Sequence, residues 1–193
     1  MGSETVDGEA VLCAESTEQW RQWLHDHAAT EKAVWLVLFG KSSGTPSVDM
    51  AEAVEHALCF GWIDSKSIKR DEHSRYQRFT PRNPKSYWSG VNRERVATLT
   101  EQGLMTPAGQ RLIDLAKTTG TWDALADAER SLVPDDLRAA LDREPEARVN
   151  FENYPLSVRR GLLSWVHTAK RDDTRKRRIA RVVELARLNL RPQ

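Results

Sequence analysis

Two cysteines, Cys13 and Cys59, are all that 193 residues hold, too few for a disulfide framework and set in unlike contexts, a polar leader and an apolar helix end. Two reduced thiols are the expectation, in keeping with a reducing compartment. No apolar run approaches the roughly 20 residues of a membrane-spanning helix. The opening MGSETVDGEAVLCAES lacks the charged-then-apolar order of a secretory signal, so a cytoplasmic protein without a membrane span is expected. Also missing are a GxSxG elbow, an HExxH pair, a zinc set of paired cysteines and a glycine-rich dinucleotide fingerprint. KSSGTPS after Gly40 lacks P-loop spacing. His25 and His27 are two apart and point to different sides of a helix, which suits no metal. Neither cofactor nor metal is expected, and a net charge of +1 excludes a wholly basic nucleic-acid binder.

What is present is a soluble, globular composition with an excess of tryptophan, seven in all. The length fits one domain, or one domain with a helical appendage. Charge is unevenly spread. Residues 1–60 hold ten acidic residues against Arg21, Lys32 and Lys41, a net of −7, whereas the stretch from His167 onward carries a net of +6.

Ser16 or Thr17 suits the cap of a helix with Trp20, Trp23, Leu24 and His27 on its buried face. AVWLVLFG, residues 33–40, reads as a central strand. A helix follows over about 48–60, introduced by a capping box of Asp49 and Glu52 and closed by Gly61. GWIDSKSIKR and SRYQRFTPR then alternate as the two strands of a hairpin, with Trp62 and Asp64 sharing one face and Tyr76, Arg78 and Thr80 sharing one face of the other strand. An antiparallel pairing would let Asp64 meet an arginine. Pro81 and Pro84 turn the chain, Ser86 is placed to cap a helix starting at Tyr87, and Trp88 and Asn92 share a stripe of that helix. A helix N-terminus preceded by Arg82 and Lys85 is a sensible anion site.

Beyond residue 100 the chain reads as helical. Thr106 and Pro107 open one helix, and Pro134 and Pro145 open two more. Two amphipathic helices end the chain, one with Val158, Leu162, Trp165, Val166 and Ala169, the other with Ile179, Val182, Val183, Ala186 and Leu190. The charge run between them, KRDDTRKRRIAR, has no interleaved aromatics and matches no nucleic-acid motif, which disfavours nucleic acid as a partner.

Several blocks occur in order: GWID, RFTPR, SYWSGVN, GLMTPAG and SWVHTAKRDDTRKRRI. Together they resemble the bacterial YdeI or OmpD-associated family, the bacteriocin-protection proteins, over about residues 30–190. Within the last block a lysine and a downstream arginine match Lys170 and Arg175 or Arg178, which marks those three as partner-binding candidates. The resemblance implies a link to bacteriocin and antimicrobial-peptide tolerance, a stress role and an envelope protein partner. It implies no reaction and no cofactor.

The architecture expected is α+β: a small, mostly antiparallel sheet covered by helices, with a helical C-terminal half ending in a helical hairpin. Residues 1–15 are expected as a mobile leader, 16–143 as the α+β core domain, and 144–193 as a helical family segment packed on that core. Trp62, Asp64, Arg78, Arg82, Ser86, Trp88, Ser89 and Asn92 are the ligand-binding candidates. The first reading is a non-enzymatic protective protein that binds a small anionic ligand or an acidic partner group there. An enzyme acting on an anionic substrate at Asp64, Arg78 and Arg82 is the second, and an interaction module built on the basic hairpin the third.

Overall fold

The computed structural model describes residues 4–190. Among them the chain forms two compact units. One comprises the residues up to Ser86 together with Val91–Thr119, and the other comprises Tyr87–Gly90 with the residues from Gly120 onward.

The first unit is built on a five-stranded sheet. β1 (Thr5–Val6), β2 (Glu9–Cys13), β3 (Val34–Phe39), β4 (Trp62–Lys69) and β5 (Ser74–Pro81) lie in the order β1-β2-β3-β5-β4. β2 runs parallel to β3, and the other three pairings are antiparallel. The leader expected to be mobile is therefore part of the sheet. Asp7 and Gly8 both have positive φ, the geometry of the two-residue turn that Asp-Gly favours, and this turn folds β1 back on β2. A parallel partner requires a crossover, which α1 (Thr17–His27) supplies between β2 and β3.

β3 is apolar on both faces, with Val34 through Leu38 all buried. On one face, Trp62 of β4 and Phe79 of β5 receive the helices. Trp20 of α1 packs 5.1 Å from the Phe79 ring, and Trp23 meets Trp62 edge-on at 5.8 Å. Trp20 also donates its indole N–H to the Ala53 carbonyl at 2.9 Å, which joins α1 to α2 (Met50–Cys59). The expected capping box of Asp49 and Glu52 opens α2, and Ser16 caps α1.

α3 (Gly90–Glu101) and α4 (Pro107–Thr119) follow. The GLMTPAG block is where α4 meets α2. Thr106 donates both its amide and its hydroxyl to the Cys59 carbonyl, at 3.1 and 2.6 Å. A Cβ on Gly109 would lie 2.7 Å from the Leu58 carbonyl oxygen and closer still to that of Cys59. The glycine is there because two backbones touch.

The second unit is helical: α5 (Ala126–Glu129), α6 (Asp135–Asp142), α7 (Pro145–Asn153), α8 (Leu156–His167) and α9 (Asp172–Arg187). Its core gathers Leu137, Leu141, Phe151, Leu163, Val166 and Val182 with their neighbours. The last two helices form the expected hairpin, although Trp165 and Leu190 of the expected stripes are exposed. Residues 120–143, assigned from sequence to the α+β domain, pack instead with these helices. Asn150 donates to the Ala186 carbonyl at 2.9 Å, and the Tyr154 hydroxyl lies 2.7 Å from the Leu190 carbonyl and 3.1 Å from that of Leu185. The carbonyls left open at the end of α9 are thus satisfied by α7 and the residue after it.

Gly109→Ala is expected to destabilise the chain by about 1–3 kcal/mol through overpacking against immovable backbone. Chemical denaturation of the variant beside wild type measures this.

Candidate functional site

Trp62, Asp64 and Arg82 are held together by the end of the β4–β5 hairpin. Trp62 is 1% exposed and donates its indole N–H to the Ala28 carbonyl at 3.1 Å, so its ring is core rather than the floor of an open pocket. Asp64 pairs with Phe79 in the antiparallel register and shares its face. The chain leaves β5 at Pro81, and the Arg82 amide donates to the Gly61 carbonyl at 2.8 Å. Gly61, at φ +76°, turns the chain out of α2 and into β4. Arg82 is 6% exposed. Burial pulls its guanidinium down to about 10, with the Asp64 carboxylate acting in the opposite sense.

Arg78 does not join them. It is one residue from Phe79 and therefore on the opposite face of the sheet from Asp64. There it reaches across β3 and grips Glu9 of β2 with two bonds of 2.7 and 2.5 Å. Each partner stabilises the other's charged form, so Glu9 lies below the usual carboxylate range and Arg78 above its ordinary value. On the same face Tyr76 donates to Glu4, which also pairs with Arg70, and the Lys66 ammonium sits 5.8 Å from the Trp35 ring. A layer of ion pairs thus roofs Trp35, which is fully buried.

The remaining candidates are also redistributed. Ser86 is not a helix cap: its amide and hydroxyl both donate to the Asn83 carbonyl, at 2.9 and 2.7 Å, closing a turn. α3 begins at Gly90 rather than at Tyr87. The Gly90 amide donates to the Glu129 carboxylate at 2.5 Å, so at this position the helix start expected to take a free anion takes the protein's own. Trp88 is buried, packs with its ring tilted 5.0 Å from that of Trp122 and donates its amide to the Thr121 carbonyl. With half-buried Ser89 it belongs to the second unit. Asn92, in the first, accepts from Arg95 at 3.2 Å. Glu9 and Glu129 are the residues that sequence reading missed. Asp7-Gly8 signals the hairpin that brings Glu9 into place, whereas nothing near Glu129 announces its partner 39 residues away.

In the helical unit, Arg175 and Arg178 lock α9 to the end of α8. Arg175 forks onto Asp136 at 2.6 and 2.9 Å and reaches the Val166 carbonyl at 3.3 Å. Asp136 is held below, and Arg175 above, its ordinary pKa by this bond. Arg178 donates to the Trp165 carbonyl, bonds the Thr168 hydroxyl at 2.9 Å and lies 5.2 Å over the Trp165 ring. Cations at the C-terminus of α8 also meet its dipole favourably. Lys170 stands exposed in the turn between the two helices. Among the described residues no group of three or more His, Cys, Asp or Glu is placed to hold a metal ion, and no helix is long and apolar enough to cross a membrane.

The arrangement defines an α+β protein in which a mixed sheet with an ionic roof is followed by a helical unit pinned by arginines. The chain belongs, through residues 12–112, more than half its length, to a family described as a domain of unknown function (DUF8412), and residues 132–189 match the model of the bacteriocin-protection, YdeI or OmpD-associated family. The second match is the family that the sequence blocks resemble, and it coincides with the helices that Arg175 and Arg178 hold. No curated protein and no solved structure is significantly similar to the chain.

Because the folded pKa of Glu9 is depressed, the stability it contributes is present above its unfolded value and is lost as pH falls through the folded one. Urea unfolding should show wild type ahead of Glu9→Gln by about 0.5–1 kcal/mol at pH 7, with the gap closing as pH falls below the usual carboxylate range. Arg175→Lys should cost about 1 kcal/mol, since an ammonium cannot reproduce the fork; a lowered melting temperature with an unchanged far-UV spectrum is the expected record.

Proposed function

We propose that the chain is a non-enzymatic protective protein of the bacteriocin-protection type, working in the cytoplasm under stress by binding a small anionic ligand, or the acidic group of a protein partner, at Arg82. The observation that carries this reading is the burial of a guanidinium beside Asp64 at the end of the hairpin. A cation loses hydration in such a place, so an incoming anion meets a charge that water screens poorly. The Asp64 carboxylate acts on the guanidinium through its charge, and two opposite charges at one place favour a singly charged partner group over a polyanion. The reading of an enzyme using Asp64, Arg78 and Arg82 together loses ground to it, because Arg78 stands on the other face and is bound to Glu9.

A second reading rests on the terminal hairpin, where Lys170, Arg171, Lys176 and Arg177 are exposed while Arg175 and Arg178 are engaged within the fold. Those four cations suit an acidic protein surface, an envelope protein among the possibilities that the family description raises.

Thermal unfolding against phosphates, nucleotides, carboxylates, acidic peptides and short nucleic acids separates the two. A small anion at about 100 times its dissociation constant should add roughly 2.7 kcal/mol of stability to wild type, and Arg82→Ala, folded at lower temperature, should show no such gain. A gain that survives the substitution removes the Arg82 site. Binding that falls steeply with salt and ignores Arg82 belongs to the hairpin.

A further inference from the structure

The helical unit contains a cleft that neither the family match nor the Arg82 reading uses. α6, α7 and α8 converge on a space of about 120 Å³ with Val133, Leu141 and Phe151 among its lining residues. Leu141 and Phe151 are core residues, so this part of the lining is apolar and fixed. Three arginines, Arg138, Arg148 and Arg159, complete it together with Asp142 and Glu152.

The charges are not evenly matched. Both carboxylates are engaged by one arginine: Arg148 lies 3.0 Å from Asp142 and 3.1 Å from Glu152. Arg138 donates to the Val133 carbonyl at 3.2 Å, and among the described residues it makes no ion pair. Arg159 is the unusual one. Its Nε is buried and, among the described residues, has no hydrogen-bond partner. A buried donor of a charged group left unmatched is costly, and native structures leave few of them without a ligand, ion or water to receive the bond. Arg159 is half-buried, whereas Arg160, next along α8, is exposed, so the cleft shelters the one and not the other.

We infer that this cleft is a binding site for a small carboxylate with a short apolar body, its carboxylate received by Arg159 and Arg138 and its hydrocarbon lying on Leu141 and Phe151. A guanidinium offers a planar pair of donors that a carboxylate matches in two-point fashion. The volume admits only a few heavy atoms. Inorganic phosphate would satisfy the arginines and leave the apolar part of the lining unused, and Asp142 and Glu152 would repel a dianion more strongly than a monoanion. The site lies wholly within the second unit and is independent of Arg82.

The test is a ¹H–¹⁵N NMR titration of the full chain with propionate and, separately, with inorganic phosphate at constant ionic strength. Propionate should produce saturable shifts centred on residues 138–142, 148–152 and 158–160, and should bind more tightly than phosphate. Arg159→Gln should weaken propionate at least about tenfold, whereas Arg160→Gln should leave it unchanged. Should Arg159→Gln fail to fold, Arg138→Gln carries the same expectation. Shifts that never saturate, or an affinity indifferent to both cleft substitutions, would overturn the site. Phosphate binding as tightly as propionate would overturn the ligand class.

Discussion

A strand apolar on both faces must be covered twice, and the first unit is arranged around that demand. β3 buries Val34 through Leu38, and its two faces are closed by different means. Helices α1 and α2 close one with tryptophan, through Trp20 and Trp23 against Phe79 and Trp62. On the other side Tyr76 meets Trp35 edge-on; paired charges do the rest, Glu9 with Arg78 and Lys66 over the indole. Long side chains cover apolar surface with their stems while their heads stay near water. The pair itself adds modestly, since partly exposed ion pairs contribute about 1 kcal/mol or less. Its larger effect is to tie the first strands to the sheet, so that a leader short of apolar residues still acquires a fixed place.

The same economy governs the helical unit. Helix ends leave carbonyls without partners, and here arginine, tyrosine and asparagine meet them: Arg175 at Val166, Tyr154 at Leu185 and Leu190, Asn150 at Ala186. Part of the basic run is therefore internal hardware. Arg175 and Arg178 face inward onto backbone oxygen, a carboxylate and an indole, while Lys176 and Arg177 between them face out. One helix period separates structural from available charge, and that separation decides which arginines a partner can reach.

Buried cationic groups are distributed differently from what a helix start preceded by basic residues suggests. The amide of Gly90 is met by Glu129, whose carboxylate supplies internally what the dipole favours. Arg82 remains as a buried cation beside Asp64 in the first unit, and Arg159 as a buried donor in the second. The first is a buried guanidinium and the second a half-buried one with a buried Nε, which is why both lead to ligand hypotheses while the exposed basic run leads only to a surface.

Local order was legible in the chain because it depends on neighbours a few residues apart. The strand at Val34–Phe39, the β4–β5 hairpin, the capping box at Asp49, the proline-led helices and the terminal hairpin all follow from periodicity and end signals. So does the turn at Asp7-Gly8, a signal present in the sequence and obscured by the polarity around it. Pairing between distant residues was not legible. Glu9 finds Arg78 across 69 positions and Gly90 finds Glu129 across 39, and each choice depends on register and on which face a side chain takes. A shift of one residue sends a strand side chain to the other face, which is why Asp64 and Arg78, grouped by composition, stand apart. Sequence determined the elements and the family match of the helical segment; tertiary structure alone decided which charges pair within the fold and which stand exposed, because charge pairing is settled by distances that local pattern does not encode.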